Sequence, residues 1–327
     1  MREGHRVKLL VLCLCLAIVP AFAAVDGVIV NGTTGQPQPN TVVMLIQPTQ
    51  AGMQTLGTTK TDAQGNFSFD NNDDQGPRLI QAIFQGVQYN RMVPPGMPST
   101  GLQIPVYAST NKAGTAKVVQ HFIVLQPGEK EMTVSEGLLY SGDSNLTYYD
   151  PVNGSVRFYV PPEATGLGSV TVNPAGGMPI QRPALKTKDP NVYKIDYPVR
   201  PGETRFDINY TVPTTNPMTF TDKEIHPEAS SNLVVPSGVT AKSADLVLVG
   251  QEPKTQASIY RIKNASFKLE VDGIGTLQQS EGSADDSGQP QVEEVKPRIY
   301  ESLYWILGMA FAILGLGSVL LARNAAK

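Results

Sequence analysis

The chain has 327 residues, 26 of them basic and 29 acidic, which gives a net charge of −3 at pH 7. This balance excludes a strongly basic protein, so nucleic acid and anionic lipid head groups are not expected partners. Only two cysteines are present, Cys13 and Cys15, and both lie in the first segment. The rest of the chain therefore has neither disulfides nor thiolate metal ligands.

The chain begins with the pattern of a secretory signal peptide, at residues 1–23. Three basic residues precede an apolar run at residues 9–19, and an Ala-Phe-Ala triplet ending at Ala23 follows it. The apolar run is too short to span a bilayer, because a spanning helix needs about 20 residues. We therefore expect cleavage after Ala23 and export of the segment that follows.

A first predicted domain, residues 24–112, contains short apolar runs separated by turn residues. The run at residues 27–31 has the length of a strand, and residues 62–65 form a tight turn before Phe67 and Phe69. Because side chains alternate along a strand, both phenylalanine rings are expected on one face, in the core.

Residues 24–109 resemble a carboxypeptidase regulatory-like domain. Four motifs carry the resemblance: Gly-Val-Ile-Val-Asn at residues 27–31, Thr-Gly-Gln-Pro at residues 34–37, Asn-Thr-Val-Val-Met-Leu at residues 40–45 and Thr-Asp-Ala-Gln-Gly-Asn-Phe-Ser-Phe at residues 61–69. The resemblance implies a β-sandwich of the transthyretin or prealbumin type. It also implies an accessory module, because such domains contribute no peptidase residues.

Three oxygen-bearing side chains at alternate positions, Asp70, Asn72 and Asp74, are candidate calcium ligands. Two features depart from a calcium loop. The glycine, Gly76, comes one residue late, and Gln81 occupies the place of the bidentate glutamate. A solvated acidic turn is the preferred interpretation, so neither a metal nor another cofactor is predicted.

Residues 113–272 are predicted to form a second β-sheet region, either one large sandwich or two small ones with a seam near residues 213–218. Alternation of apolar and polar residues is clearest at Phe206, Ile208, Tyr210 and Val212, and again at Phe267, Leu269 and Val271. No long segment between residues 24 and 273 has the period of a helix. The predicted fold class is therefore all-β, with tandem antiparallel β-sandwich domains.

Three tyrosines, Tyr140, Tyr148 and Tyr149, are candidates for an aromatic surface on which a sugar ring could stack. The competing interpretation is that they are half-buried residues of a sheet, which is the commoner role of tyrosines at this spacing. A carbohydrate-binding module is therefore kept as the alternative function.

Residues for catalysis are nearly absent outside the signal peptide. Two histidines remain, His121 and His226, and neither belongs to a zinc-binding motif. Residues 109–112 match the Ser-Xaa-Xaa-Lys spacing of acylating serine enzymes, but they lie in a polar segment with no companion motif. We therefore predict that the protein is not an enzyme.

The end of the chain has the pattern of a stalk followed by a membrane anchor. Residues 273–299 are acidic and polar, whereas residues 300–322 contain a long uncharged apolar run with Trp305 near its start. Basic residues follow in the segment 323–327, which is the expected cytoplasmic tail. This pattern predicts a single-pass protein with its N-terminus outside, in a bacterial inner membrane facing the periplasm or at the cell surface.

Small residues lie on one face of the predicted membrane helix, at Gly308, Ala312 and Gly315. Such a face allows another membrane helix to approach closely, which makes helix packing or self-association a further expectation.

Two function classes remain from the sequence. The preferred prediction is a non-catalytic, membrane-anchored module that acts as a protein-interaction or scaffold module in the cell envelope. Its expected partners are the lipid bilayer, a protein partner or a second copy of the chain, with a glycan under the alternative.

Overall fold

The computed structural model describes residues 25–70, 76–142, 145–215, 217–226 and 229–277. The predicted signal peptide, membrane helix, cytoplasmic tail and most of the predicted stalk lie outside the described residues. Within the described ranges, no helix has the length and apolar character needed to cross a membrane.

The described residues form β-strands joined by turns and loops, which confirms the all-β fold class. In chain order, the strands are β1 (Val25–Asn31), β2 (Gln36–Pro37), β3 (Val42–Thr49), β4 (Gly52–Lys60), β5 (Asn66–Phe69), β6 (Arg78–Phe84), β7 (Val87–Val93), β8 (Leu102–Val106), β9 (Ser109–Thr110), β10 (Lys117–Pro127), β11 (Glu131–Gly142), β12 (Thr147–Tyr148), β13 (Val156–Tyr159), β14 (Ser169–Pro174), β15 (Ile180–Pro183), β16 (Leu185–Lys186), β17 (Val192–Ile195), β18 (Gly202–Pro213), β19 (Thr219–Lys223), β20 (Ser230–Val235), β21 (Thr240–Lys242), β22 (Leu246–Gln251), β23 (Ser258–Ile262) and β24 (Ser266–Asp272).

The first eight strands make two four-stranded sheets. One contains β1 with β2, β5 and β8, and the other has the order β4-β3-β6-β7. Apolar side chains from both sheets form one hydrophobic cluster, which we call the first core. Phe67 and Phe69 are both buried in it, as their alternation on β5 predicts, and their ring centroids are 6.1 Å apart.

The later strands are organised around an eight-stranded sheet with the order β15-β14-β18-β11-β10-β20-β23-β22. Two three-stranded sheets accompany it, β13-β17-β16 and β19-β24-β21. Inward-facing side chains from these sheets form one hydrophobic cluster, the second core, with members from Ala116 to Val271. The predicted alternation on β18 and β24 is confirmed, because all seven apolar residues named for these strands are buried.

Three strand pairs are parallel, whereas the sequence favoured antiparallel sheets throughout. They are β1 with β8, β10 with β20, and β9 with β12. A parallel pair needs a crossover connection of about a dozen residues or more, and each of these pairs is separated by at least that much chain. The four-stranded sheet that contains β1 and the eight-stranded sheet are therefore mixed in direction, and β9 and β12 form a separate two-stranded parallel sheet.

Hydrogen bonds join the part of the chain that forms the first core to the part that forms the second core. The Thr33 hydroxyl donates to the Asn145 carbonyl at 2.6 Å, and the Asn145 side-chain amide donates back to the Thr33 carbonyl at 2.9 Å. The Tyr149 amide also donates to the Thr110 carbonyl at 2.8 Å. The short β9–β12 pair is therefore flanked by hydrogen bonds that link the two parts of the chain.

Candidate functional site

The candidate calcium ligands are only partly described by the structure. Asp70 is exposed at the end of β5, and Asn72 and Asp74 lie outside the described residues. In the part of the chain that the structure describes, no group of three His, Cys, Asp or Glu side chains is arranged to hold a metal ion. The structure therefore does not test whether these three side chains bind calcium, and the solvated acidic turn stays the preferred prediction.

The three candidate tyrosines do not form one exposed surface. Tyr140 is only 3% exposed, and its ring packs edge-on against the rings of Phe206 and His226, at 5.4 and 5.8 Å between centroids. Tyr148 is half-buried against the second core, and Tyr149 is half-buried against the first. The buried ring of Tyr140 has no free face on which a sugar could stack.

Two other sequence motifs can be located. Ser109 lies on the short strand β9, and its hydroxyl donates to the Gln85 carbonyl at 3.2 Å. The Ser-Xaa-Xaa-Lys spacing is therefore not on a helix turn, which is the geometry that an acylating serine and lysine need. The predicted packing residues Gly308, Ala312 and Gly315 lie outside the described residues.

A group of polar side chains is enclosed in the second core. Each member is at most 9% exposed, and each lies at or beside an inward position of a strand. We call it the buried polar network, and its members are His121 on β10, Glu136 on β11, Tyr210 on β18, Asp222 on β19, Glu224 just after β19, and Ser231 on β20.

The imidazole of His121 lies between two carboxylates. Its Nδ1 is 2.5 Å from Glu224 Oε2, and its Nε2 is 3.4 Å from Glu136 Oε2. The second contact is an ion pair without the alignment of a hydrogen bond. The Tyr210 hydroxyl donates to the other Glu136 oxygen, and the Ser231 hydroxyl donates to Glu224 Oε2 at 2.6 Å.

The charges of the network follow from its burial and its contacts. Burial alone would lower the pKa of His121, but its contacts with Glu136 and Glu224 and the charges of these carboxylates raise it to about 10. Burial opposes ionisation of Glu224 as well, yet the His121 contact and the Ser231 hydroxyl lower its pKa to about 2. Burial and the nearby charge of Glu136 raise the pKa of Asp222 well above its usual range.

This arrangement links strands rather than presenting reactive groups. The imidazolium and its carboxylate partners are enclosed, so a substrate in solution has no direct access to them.

Sequence reasoning missed the acidic members of the network. His121 and Glu224 are 103 residues apart in the chain, so no local spacing connects them. The available signal was weaker: Glu136 and Asp222 each follow a buried apolar residue by two positions in a strand, where alternation predicts an inward side chain.

Strand β22 exposes apolar side chains at the edge of a sheet. It is the last strand of the eight-stranded sheet and pairs with β23 along one side. Val247, Leu248 and Val249 are 44%, 59% and 55% exposed, so apolar side chains face solvent on both faces of the strand. We call residues 246–251 the apolar edge.

No protein-family model matches the chain, and no curated protein matches it. Among solved structures, it matches the M1 zinc metallopeptidase of Deinococcus radiodurans with 12% identity and a TM-score of 0.29, over 48% of this chain and 42% of that chain. A mutant of that enzyme bound to a Tyr-Ser-Ala substrate matches with 11% identity and a TM-score of 0.29, over 48% and 43% of the two chains. The chain thus spans less than half the length of these structures, and the likeness is too distant to indicate an activity.

Proposed function

We propose that this chain is a non-catalytic, membrane-anchored module that binds a partner protein outside the cytoplasm. The apolar edge is the observation that supports the proposal. Edge strands of soluble proteins are normally protected by lysine, proline, a β-bulge or a covering segment, because their free N–H and C=O groups pair readily with other chains. Residues 246–251 contain neither lysine nor proline, and a bulge between Leu248 and Gly250 is the one protective feature within them.

Pairing with an added strand would satisfy both chemical features of the apolar edge. The added strand would hydrogen-bond to the free backbone groups of β22, as in other complexes formed by strand addition. It would also cover Val247, Leu248 and Val249, and full burial of one such side chain contributes about 1.5–3 kcal/mol.

The charges beside the apolar edge favour a different protein over a second copy of this chain. Asp245 precedes the edge and Glu252 follows it, and both are half-buried. In the symmetric antiparallel pairing of two copies, Asp245 of one copy would face Glu252 of the other at both ends. Like charges directly opposite each other destabilise a strand pair. The proposed occupant is therefore an extended apolar segment with basic residues at its ends.

The wider plan of the protein rests on the sequence. We propose that residues 24–112 form the carboxypeptidase regulatory-like sandwich and residues 113–272 one further sandwich, and the two separate hydrophobic cores support this division. The apolar run at residues 302–322 supports an anchor in a bacterial inner membrane, facing the periplasm or the cell surface. The carbohydrate-binding alternative is not proposed, because its candidate Tyr140 is buried.

The test places a photoreactive amino acid at Val249 of the full-length protein in its own membrane and identifies the crosslinked segment by mass spectrometry. We expect crosslinks to an extended apolar segment of one other protein. The substitution Val247→Lys should abolish them, because a lysine on an edge strand opposes further pairing. The matched control is Leu185→Lys, which changes a leucine that is 42% exposed on the edge strand β16 and should leave the crosslinks intact.

Two outcomes would overturn the proposal. Crosslinks only to a second copy of the chain would replace the heterologous partner with a homodimer. Crosslinks that persist in Val247→Lys would show that the apolar edge does not form the contact.

A further inference from the structure

A cavity of about 260 Å³ lies between strands of the first core and strands of the second. We call it the inter-core cleft. The residues that matter for its chemistry are Tyr89, Arg91, Tyr107, Tyr197, Arg200 and Glu203. Small-molecule sites usually measure about 300–1,000 Å³, so this cleft accommodates only a small ligand.

Hydrogen bonds fix the walls of the inter-core cleft. The Tyr89 hydroxyl donates to the Tyr107 carbonyl and accepts from the Thr147 hydroxyl, both at 2.8 Å. Arg200 Nη2 donates to the Gln88 carbonyl at 2.6 Å, and its guanidinium lies 5.3 Å from the centroid of the Tyr89 ring. The cleft is therefore formed in the folded protein, and a ligand would not have to order its walls.

Two side chains of the lining carry hydrogen-bond donors that a ligand could use. Tyr197 is 3% exposed and its ring packs edge-on against Phe206, and its hydroxyl makes no hydrogen bond to another described residue. In the Arg200 guanidinium, Nη2 donates to the Gln88 carbonyl and Nε is enclosed by protein, which leaves Nη1 as the donor for a ligand. An acceptor on a ligand could therefore hydrogen-bond to the Tyr197 hydroxyl and to Arg200 Nη1.

The charge of the lining selects an anion. Arg91 and Arg200 are the basic lining residues, Glu203 is the acidic one, and the sum is one positive charge. Arg91 and Glu203 are exposed at the opening, whereas Arg200 is half-buried. A guanidinium presents several donors in one plane, which matches the two oxygens of a carboxylate.

We propose that the inter-core cleft binds a small organic carboxylate, which accepts hydrogen bonds from the Arg200 guanidinium and the Tyr197 hydroxyl. Arg91 at the opening attracts the anion, and the half-buried ring of Tyr107 provides an apolar wall for its carbon skeleton. This site lies on different strands from the apolar edge and is independent of the proposed partner protein.

The test is isothermal titration calorimetry of the full-length protein in detergent with acetate, succinate and D-glucuronate, and with D-glucose and inorganic phosphate as comparisons. We expect at least one of the three carboxylates to bind with a Kd below about 1 mM, and D-glucose and phosphate to bind at least roughly tenfold more weakly. The variants Tyr197→Phe and Arg91→Gln should each weaken carboxylate binding by roughly tenfold, the loss expected for one hydrogen bond or charge contact to an anion.

The variants are chosen to preserve the fold. Tyr197→Phe keeps the ring that packs against Phe206, and Arg91 is exposed. The matched control Arg261→Gln changes an exposed arginine on β23, which does not line the cleft, and should bind as the unmodified protein does. Thermal unfolding of each variant checks that the fold is retained.

The proposal would be overturned by any of three results. These are no binding of the three carboxylates up to about 10 mM, binding of D-glucose or phosphate as tight as that of the carboxylates, or carboxylate binding that is unchanged in both Tyr197→Phe and Arg91→Gln.

Discussion

The contribution of the buried polar network to the stability of the fold depends on whether each of its charged side chains keeps its partner. Burying a charge is expensive unless it is paired, and removing one partner of a buried pair is far more damaging than replacing the whole pair with apolar residues. His121 is the shared partner, because it contacts both Glu136 and Glu224. The network should therefore respond strongly to single substitutions and to pH.

Substitution Tyr210→Phe tests the hydrogen bond to Glu136. It removes the hydroxyl that donates to one Glu136 oxygen and leaves that oxygen buried without this donor. We expect a loss of about 1–3 kcal/mol in the free energy of unfolding, measured by urea denaturation. Tyr193→Phe is the control, because this half-buried ring stacks on Phe158 and should change stability by less than about 0.5 kcal/mol. Equal effects of the two substitutions would contradict a role for the Glu136 contact.

The pH dependence of stability follows from the same residues. His121 has a folded-state pKa of about 10, above its usual 6.5, so its contribution is complete below pH 6.5 and is lost as the pH rises through 10. The pKa of Glu224 is lowered to about 2 from 4.5, so its contribution is complete above pH 4.5 and is lost as the pH falls through 2. These two shifts describe one ion pair. Asp222 has a folded-state pKa well above its usual 3.8, because the fold disfavours its charged form. Its contribution to stability is therefore lost as the pH rises above 3.8 toward the folded-state pKa.

We therefore expect the free energy of unfolding to fall between pH 6.5 and 10, by up to about 1.4 kcal/mol per pH unit for one proton. Urea denaturation at a series of pH values measures the slope. His121→Gln should flatten it, since glutamine keeps a hydrogen-bond donor but cannot bind the proton. A slope unchanged by this substitution would rule out His121 as its source.

At the scale of the elements, the sequence predicted the strands better than their partners. Strand β18 could be predicted because Phe206, Ile208, Tyr210 and Val212 place one apolar face on the core. Its place beside β11 and β14 could not, because the neighbours of a strand depend on contacts made across the whole fold. The parallel pairing of β10 with β20 was missed for the same reason.

The same limit applied to the sites. Glu136, His121 and Glu224 are far apart in the sequence. The register of β10 against β11 brings His121 near Glu136, and the segment between β19 and β20 brings Glu224 to His121. The apolar edge differs, because the run Leu-Val-Leu-Val is visible in the sequence, but an edge strand and a buried central strand share this pattern.

Strands β1 and β8 lie so close together at Gly27 that a larger residue there should destabilise the fold. A Cβ atom added there would lie 2.1 Å from the Leu102 carbonyl oxygen, which is a backbone atom and cannot rotate away. Gly27→Ala should destabilise the protein by about 1–3 kcal/mol, the usual range for overpacking. Gly168→Ala is the matched control, because an added Cβ there meets no atom within 4 Å. Denaturation curves that coincide for the two variants would show that β1 and β8 can separate freely.

At the scale of the whole molecule, the described chain ends beside the second core. The Gly275 amide donates to the Pro127 carbonyl at 3.1 Å, and the Leu277 amide donates to the Gln126 side chain at 3.0 Å. The first residues of the predicted stalk, residues 273–277, are therefore held against β10.

This placement refines the prediction of membrane topology. Protease added from outside should release a folded fragment that ends beyond residue 277, within the rest of the predicted stalk, because the preceding residues are hydrogen-bonded to β10. A reporter fused after Lys327 should be cytoplasmic. Recovery of that reporter on the outer side of the membrane would disprove the predicted anchor, and cleavage before residue 273 would disprove the protection of the first stalk residues.

The parallel pairing of β10 with β20 has a consequence for how the chain is made. A chain that emerges in order, from a ribosome or an export channel, presents β10 and β11 long before β20, because the first paired residues are Gln120 and Ser230. Until then, one side of β10 is an open edge, and the charge of His121 lacks Glu224, which arrives 103 residues later. The nascent intermediate thus exposes a sheet edge that pairs readily with other chains. Products truncated before β20 are therefore expected to aggregate.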